Sequence, residues 1–237
     1  MKKRIWELDT LRGLCVLGMV LVHFVFNIVE LYGLIPWEYP GWFVLVKEWG
    51  GLLFLLISGI CVTLGSHPVR RGLVVLGCGL VCTAVTVGMV TLNFADSSMV
   101  IWFGVLHCLG FCMLLWPVFS RLPTWLVAVL GAVLMGLGFY FLYGVKVDTW
   151  MLVPFGLTFP AFATPDYFPL LPYLGLFLLG AVLGKTLYKN KTTLFPKVDP
   201  KNPLIAFFGM LGRYSLWIYL LHQPVLSALC LGLSYLQ

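Results

Sequence analysis

The sequence predicts an all-α fold: a polytopic membrane helix bundle of about seven transmembrane helices, amino terminus inside and carboxy terminus outside. Three observations predict it. Hydrophobic residues make up 61% of the 237-residue chain and charged residues only 10%, against about 25% charged in ordinary soluble domains. Apolar runs of bilayer-crossing length recur along most of the chain. Basic residues gather at alternate helix ends: Lys2, Lys3, Arg4, Arg12, Arg70, Arg71, Arg121, Lys185, Lys189, Lys191, Lys197, Lys201 and Arg213. Only Lys47 and Lys146 fall at the other ends, which places the amino terminus in the cytoplasm by the positive-inside rule. A transmembrane barrel would need short alternating strands with a polar lumen face, and neither pattern is present. The net charge of +6 is therefore a topology signal. No basic patch with interleaved aromatics exists outside the helix ends, so nucleic acid is excluded as a partner.

Each element follows in order. The first apolar segment, Leu8 to Gly33, is too long for a signal peptide and lacks a small-residue cleavage site, so it is expected to remain as helix 1. The outer turn Leu34–Trp42 carries tryptophans and a tyrosine suited to the membrane interface. Helix 2 is predicted from Val46 to Leu64, ending in a cytoplasmic turn through His67-Pro68 and two arginines. Helix 3 runs from Gly72 to Leu92, and helix 4 from Val100 to Phe119 with His107 about 10 Å below its outer start. Helix 5, Trp125 to Tyr143, is uncharged scaffold. The stretch Gly144 to Leu171 holds Pro154, Pro160, Pro165 and Pro169 and is too broken to span. It is expected outside, either as a cap over a site or as an aromatic surface loop. Helix 6, Leu171 to Leu187, leads into the lysine-rich segment to Lys201, whose simplest role is orientation and attraction to anionic lipid. Helix 7, Leu204 to Leu233, places Ser215, Tyr219 and His222 on one face, with Pro224 expected to kink it. The whole chain, residues 1–237, reads as one membrane-embedded domain without internal repeat.

Helix 1 concentrates the polar chemistry. At about 100° per residue, Asp9, Arg12, His23, Asn27 and Glu30 fall within roughly 60° of one another. Ionisable groups at membrane depth face a bundle interior or a wet cavity rather than lipid. The seven cysteines all lie in apolar runs. Cys78/Cys82 and Cys108/Cys112 are one helical turn apart, but small soft residues packing between helices account for them, and no metal site or disulfide is assigned.

Three blocks carry a resemblance to a known family. Glu7-Leu8-Asp9-Thr10-Leu11-Arg12-Gly13, followed by His23-Phe24, resembles the opening of the heparan-α-glucosaminide N-acetyltransferase catalytic-domain family, part of the transmembrane acyltransferase group. Gly104-Val105-Leu106-His107-Cys108-Leu109-Gly110 and Gly212-Arg213-Tyr214-Ser215-Leu216-Trp217-Ile218-Tyr219-Leu220-Leu221-His222-Gln223-Pro224 resemble two further signatures of small bacterial members. The resemblance implies an acyl-coenzyme A donor, acetyl-coenzyme A in the simplest case, on the cytoplasmic side. It implies an amino sugar or other glycan as acceptor on the far side, membrane lipid as surroundings, a homodimer as an assembly to test, and a bacterial inner membrane as the location. One departure stands out. The lysosomal member has asparagine where this chain has His23, and its proposed catalytic histidine lies in the loop after helix 1. That loop here holds no histidine.

The reactive histidine is then His23, His107 or His222, with Asn27 able to orient the imidazole or donate to the thioester oxygen. Histidine suits proton transfer because its ordinary pKa lies near 6.5. Arg12 can meet a phosphate bidentately about 16 Å from His23, or it can be structural. Asp9 is expected in a structural ion pair with Arg12. Glu30 can orient an incoming sugar or raise the histidine's basicity. Arg213, Ser215, Tyr219 and His222 complete the candidate substrate- and donor-binding set, although helix-end packing accounts for His222 more readily than catalysis does. A transporter or flippase for a small polar or lipid-linked solute would use such a polar stripe equally well, although many transporters carry paired repeats. A purely structural membrane subunit would leave the stripe unexplained.

Overall fold

A computed structural model describes residues 4–236. Lys2 and Lys3, counted above in the charge pattern, lie outside the described residues. The architecture is all-helical: α1 (Trp6–Phe26), α2 (Gly41–Leu64), α3 (Pro68–Thr91), α4 (Val105–Phe119), α5 (Thr124–Gly144), α6 (Leu170–Leu187), α7 (Pro203–Arg213) and α8 (Ser215–Ser234). A π-helical turn, Asn27–Leu31, extends α1. Six of the described helices are long and apolar enough to cross a membrane, so the protein is a polytopic helical membrane protein.

The course of the last predicted helix is a correction. The helix predicted over Leu204–Leu233 breaks at Tyr214, which caps both α7 and α8. No proline sits at this break. Two residues before it, Gly212 lies against the backbone of α1 at Asp9 and Gly13, where any side chain would collide. The eleven-residue α7 is too short to span. It turns Ile205, Gly209 and Gly212 toward α1 and leaves Leu204, Phe207 and Met210 exposed. At fifteen residues α4 is also shorter than a full crossing. It starts at Val105 rather than Val100 because Asp166, far along the chain, accepts the Val105 amide at 3.2 Å. Residues 101–104 are held outside the helix by the Phe103–Tyr167 bridge. At the other extreme α2 begins at Gly41, directly after Pro40, so Trp42 is helical.

Contacts gather into two compact units. The first comprises the chain up to Phe54 and from Asn190 onward: α1, the start of α2, α7 and α8. Glu7 ties its start to its end. The carboxylate is buried and accepts from the Thr193 hydroxyl at 2.9 Å and the Leu194 amide at 2.8 Å.

The second unit, Leu55–Lys189, packs α3 on α4 and α5 on α6 through glycines. Gly138 meets the backbone at Pro172, Gly72 meets the Gly110 carbonyl, and Gly59 and Gly180 seat α6 against the second half of α2. Small residues at such crossings let membrane helices approach closely. The proline-rich stretch after α5 is compact within this unit. Tyr167 donates to the Val153 carbonyl at 2.6 Å, Thr164 to the Val100 carbonyl at 2.7 Å, and Lys146 to the Thr158 hydroxyl at 2.8 Å. Burial, followed by the neighbouring Tyr173, raises the pKa of Tyr167.

Candidate functional site

In the first unit α1 and α8 run parallel and meet at four levels. Arg12 donates from Nη2 to the Ser215 hydroxyl at 2.7 Å. His23 and His222 meet edge to face with ring centroids 4.8 Å apart. Gln223 donates from Nε2 to Asn27 Oδ1 at 2.9 Å. Tyr32 donates to the Ser227 carbonyl at 3.2 Å. The regular α-helical path from Arg12 to His23 rises about 16 Å, so the seam carries polar groups over roughly half a bilayer.

The tautomers follow from the partners. His23 Nδ1 lies 2.9 Å from the Met19 carbonyl, and His222 Nδ1 bonds the Tyr219 carbonyl. A carbonyl only accepts, so each Nδ1 carries a proton, and in the neutral ring each Nε2 presents a lone pair. That lone pair is the form a general base requires.

The four buried side-chain nitrogen or oxygen atoms that lack a partner among the described residues are Arg12 Nε, Asn27 Nδ2, His222 Nε2 and Gln223 Oε1. All four lie on this seam. Asn27 has no exposed surface and opens the π-helical turn, a local widening that recurs at functional positions. Ser215 is buried at the first residue of α8, and the Tyr219 ring lies tilted against His222 with centroids 5.5 Å apart.

Three other candidates occupy different positions. Asp9 pairs with Arg4 at 3.6 Å rather than with Arg12, because the Arg12 guanidinium turns along α1 toward Ser215 and lies 5.9 Å from the Phe54 ring centre. Arg213 is exposed and donates to the Gly209 carbonyl at 3.2 Å. With Arg4, Trp6, Asp9 and Thr10 it lines a recess of about 190 Å³. Glu30 is exposed, because the π turn shifts its phase away from the stripe. At Tyr39, outside the spans, burial first and then the nearby Glu30 carboxylate raise the pKa.

His107 belongs to the second unit and is bonded at both ring nitrogens. Nδ1 accepts from the Gly104 amide at 3.2 Å, which leaves the proton on Nε2, 3.2 Å from the Thr83 hydroxyl. Thr83 in turn donates to the Ile101 carbonyl at 2.6 Å. The ring thus sits at the third residue of α4, not two turns into a helix, and joins α3 to the α4 start.

Sequence pattern alone did not single out two residues, Glu7 and Gln223. A buried glutamate at a helix start and an amide beside a proline have no periodic signature. The signal that finds them is the partner each holds. Cys108 and Cys112 lie with their sulfurs 3.9 Å apart in the second unit. Among the described residues no group of three or more His, Cys, Asp or Glu is placed to hold a metal ion.

No curated protein and no solved structure matches the sequence. The family model described as "Heparan-alpha-glucosaminide N-acetyltransferase, catalytic" matches residues 4–224, and so includes every residue of the α1–α8 seam from Arg12 to Gln223. Through this match over nearly its whole length, the chain belongs to the heparan-α-glucosaminide N-acetyltransferase catalytic family, and membership implies a transmembrane acyltransferase.

Proposed function

We propose that the chain moves an acyl group, acetyl in keeping with its family, from cytoplasmic acyl-coenzyme A to an amino sugar or lipid-linked glycan on the opposite side of the membrane. The α1–α8 seam is the site. One observation carries this reading: four unpartnered buried polar atoms gathered along one helix pair. Each such atom costs about 1–3 kcal/mol, and folded proteins leave few of them unsatisfied. A polar ligand threaded along the seam would satisfy all four.

With the amino terminus cytoplasmic, as the charge pattern favours, Arg12 faces the coenzyme pool. Ser215 engages one nitrogen of its guanidinium, and the unpaired Nε remains for a phosphate or carbonyl oxygen of the donor. Arg213, exposed at the same end of α1, adds a second cation. A bacterial inner membrane fits the resemblance to small bacterial members.

The chemistry then runs along the seam. The acceptor's amine or hydroxyl gives its proton to a neutral imidazole Nε2, at His222 or His23, as its nitrogen or oxygen bonds to the thioester carbon. The carbonyl electrons move onto oxygen, where Asn27 Nδ2 donates. Collapse of this intermediate breaks the carbon–sulfur bond, and the coenzyme thiolate takes the proton back from the imidazolium. A transient acyl-histidine would use the same groups in two such transfers. His107, bonded at both nitrogens, keeps a structural role.

The test is purified protein in nanodiscs with labelled acetyl-coenzyme A and a glucosamine acceptor. The expected result is thioester loss with labelled sugar, abolished or strongly reduced by His222→Ala. Saturable binding of a solute without affinity for coenzyme A would overturn the proposal in favour of transport.

A further inference from the structure

Gln223 is absent from the catalytic scheme above, yet its contact decides which way Asn27 faces. A side-chain amide has one oxygen that accepts and one nitrogen with two protons. Gln223 Nε2 donates to Asn27 Oδ1 at 2.9 Å, so the Asn27 oxygen is occupied. Its Nδ2 is left with no protein partner although the residue is wholly buried. The Asn27 backbone is fixed independently. Its amide bonds back to the His23 and Phe24 carbonyls, and its carbonyl accepts the Tyr32 amide at 2.9 Å. What remains free is rotation of the side-chain amide, and Gln223 removes that freedom. Gln223 Oε1 is also buried without a partner. The pair thus holds one hydrogen bond between its members and presents one open donor and one open acceptor. An amide pair serving only to hold two helices together would not leave both ends open at such a cost.

We propose that Gln223 is a positioning residue: it holds Asn27 by its oxygen so that Nδ2 is aimed at the carbonyl oxygen of the reacting thioester. This rests on the acyl-transfer reading. Gln223 touches neither the breaking nor the forming bond; it acts through Asn27.

Gln223→Glu keeps length and volume while replacing the donor by an acceptor. Asn27 must then turn its nitrogen toward the carboxylate and its oxygen toward the thioester, where it repels the developing negative charge. Loss of a single oxyanion donor costs about 100- to 1,000-fold in kcat. A fall of that order is expected for Gln223→Glu, with KM for acetyl-coenzyme A changed less than about threefold, a split that uniform loss of binding would not give. Gln223→Met, neutral and of similar size, frees Asn27 without reversing it. It should lower kcat less than Gln223→Glu, and it guards against misfolding of the charged variant. In an Asn27→Ala background, Gln223→Glu should add no further loss, because its only route of action is gone.

An arm independent of activity uses protein labelled with ¹⁵N in asparagine side chains, the Asn27 signal being identified by its disappearance in Asn27→Ala. In Gln223→Glu one Asn27 amide proton should move downfield as it bonds the carboxylate. An unchanged Asn27 signal, unchanged kcat in both Gln223 variants, or a full additional loss in the Asn27→Ala background would each overturn the proposal. A wild-type protein inactive with acetyl-coenzyme A would sink the acyl-transfer reading instead, and the labelled-asparagine signal would still decide whether Gln223 sets the amide.

Discussion

The imidazole rings of His23 and His222 meet edge to face at 4.8 Å, and each is tied through Nδ1 to a carbonyl of its own helix. In their neutral form, two rings held in this way offer two lone pairs at one level of the seam. In the proposed reaction one takes a proton while the other steadies the charge. His222→Ala is expected to lower kcat about 100- to 10,000-fold, the range for loss of a positioned general base. His23→Ala should fall in the same range, and the double variant should be little worse than either single one, as for residues acting as a unit. Steady-state thioester consumption checks this. Near-normal activity of both single variants would remove the pair from the chemistry.

The crossing of α1 and α7 depends on two glycines. A methyl at Gly13 would meet the Phe208 carbonyl, and one at Gly212 the Asp9 carbonyl. Backbone cannot yield as a flexible side chain can. Gly212→Ala and Gly13→Ala are each expected to destabilise by about 1–3 kcal/mol, the usual cost of overpacking. Gly18, with nothing near its added methyl, should accept alanine without loss. Thermal unfolding in one detergent, read for the three variants together, decides the matter.

Glu7 fastens the lysine-rich segment after α6. Its carboxylate accepts from Thr193 and Leu194, so Glu7→Ala should release residues 190–202. Loss of a buried acceptor leaves two donors unpaired, at about 1–3 kcal/mol each. Faster tryptic cleavage at Lys191 and Lys197 is the expected outcome, with Glu7→Gln intermediate because its oxygen still accepts. Equal cleavage rates in Glu7→Ala and wild type would show that the segment is held by other contacts.

The Tyr39–Glu30 link has a pH signature. Burial, and after it the nearby Glu30 carboxylate, raises the Tyr39 pKa in the folded protein above the ordinary value of about 10. A raised folded pKa means that the contribution to stability is complete below the unfolded value and is lost as pH rises through the folded one. Ultraviolet titration should therefore show a late-ionising tyrosine that Tyr39→Phe removes. The same substitution should lower Tm at neutral pH and cease to matter at strongly alkaline pH. A titration curve identical in both proteins would refute the link.

Much of this was legible in the chain, and the exceptions have physical causes. Arg12, His23 and Asn27 share a face by helical phase, and the structure puts all three on the α1–α8 seam. Glu30 leaves that face because Asn27–Leu31 is π-helical, and a fixed advance of about 100° per residue cannot register a π turn. The break at Tyr214 has no local sequence signal, and Gly212 looks like any membrane-helix glycine until α1 lies against it. The late start of α4 is equally non-local, since Val100–Phe103 is apolar enough for a helix and Asp166 lies some sixty residues away. His107 is a catalytic candidate in sequence because the types of its neighbours are visible there, whereas its bonds to Gly104 and Thr83 are visible only in the structure. Gln223 was visible only as part of a motif, because nothing in its spacing discloses that its partner is Asn27.

The central claim is that the α1–α8 seam holds the acyl donor. Cryo-electron microscopy of the protein in nanodiscs with coenzyme A tests it most directly. The expected density has the nucleotide phosphates beside Arg12 and Arg213 and the thiol end of the pantetheine within reach of His222 Nε2 and Asn27 Nδ2. Coenzyme A bound only among residues 55–189, or a seam that stays closed and empty at saturating coenzyme A, would contradict it.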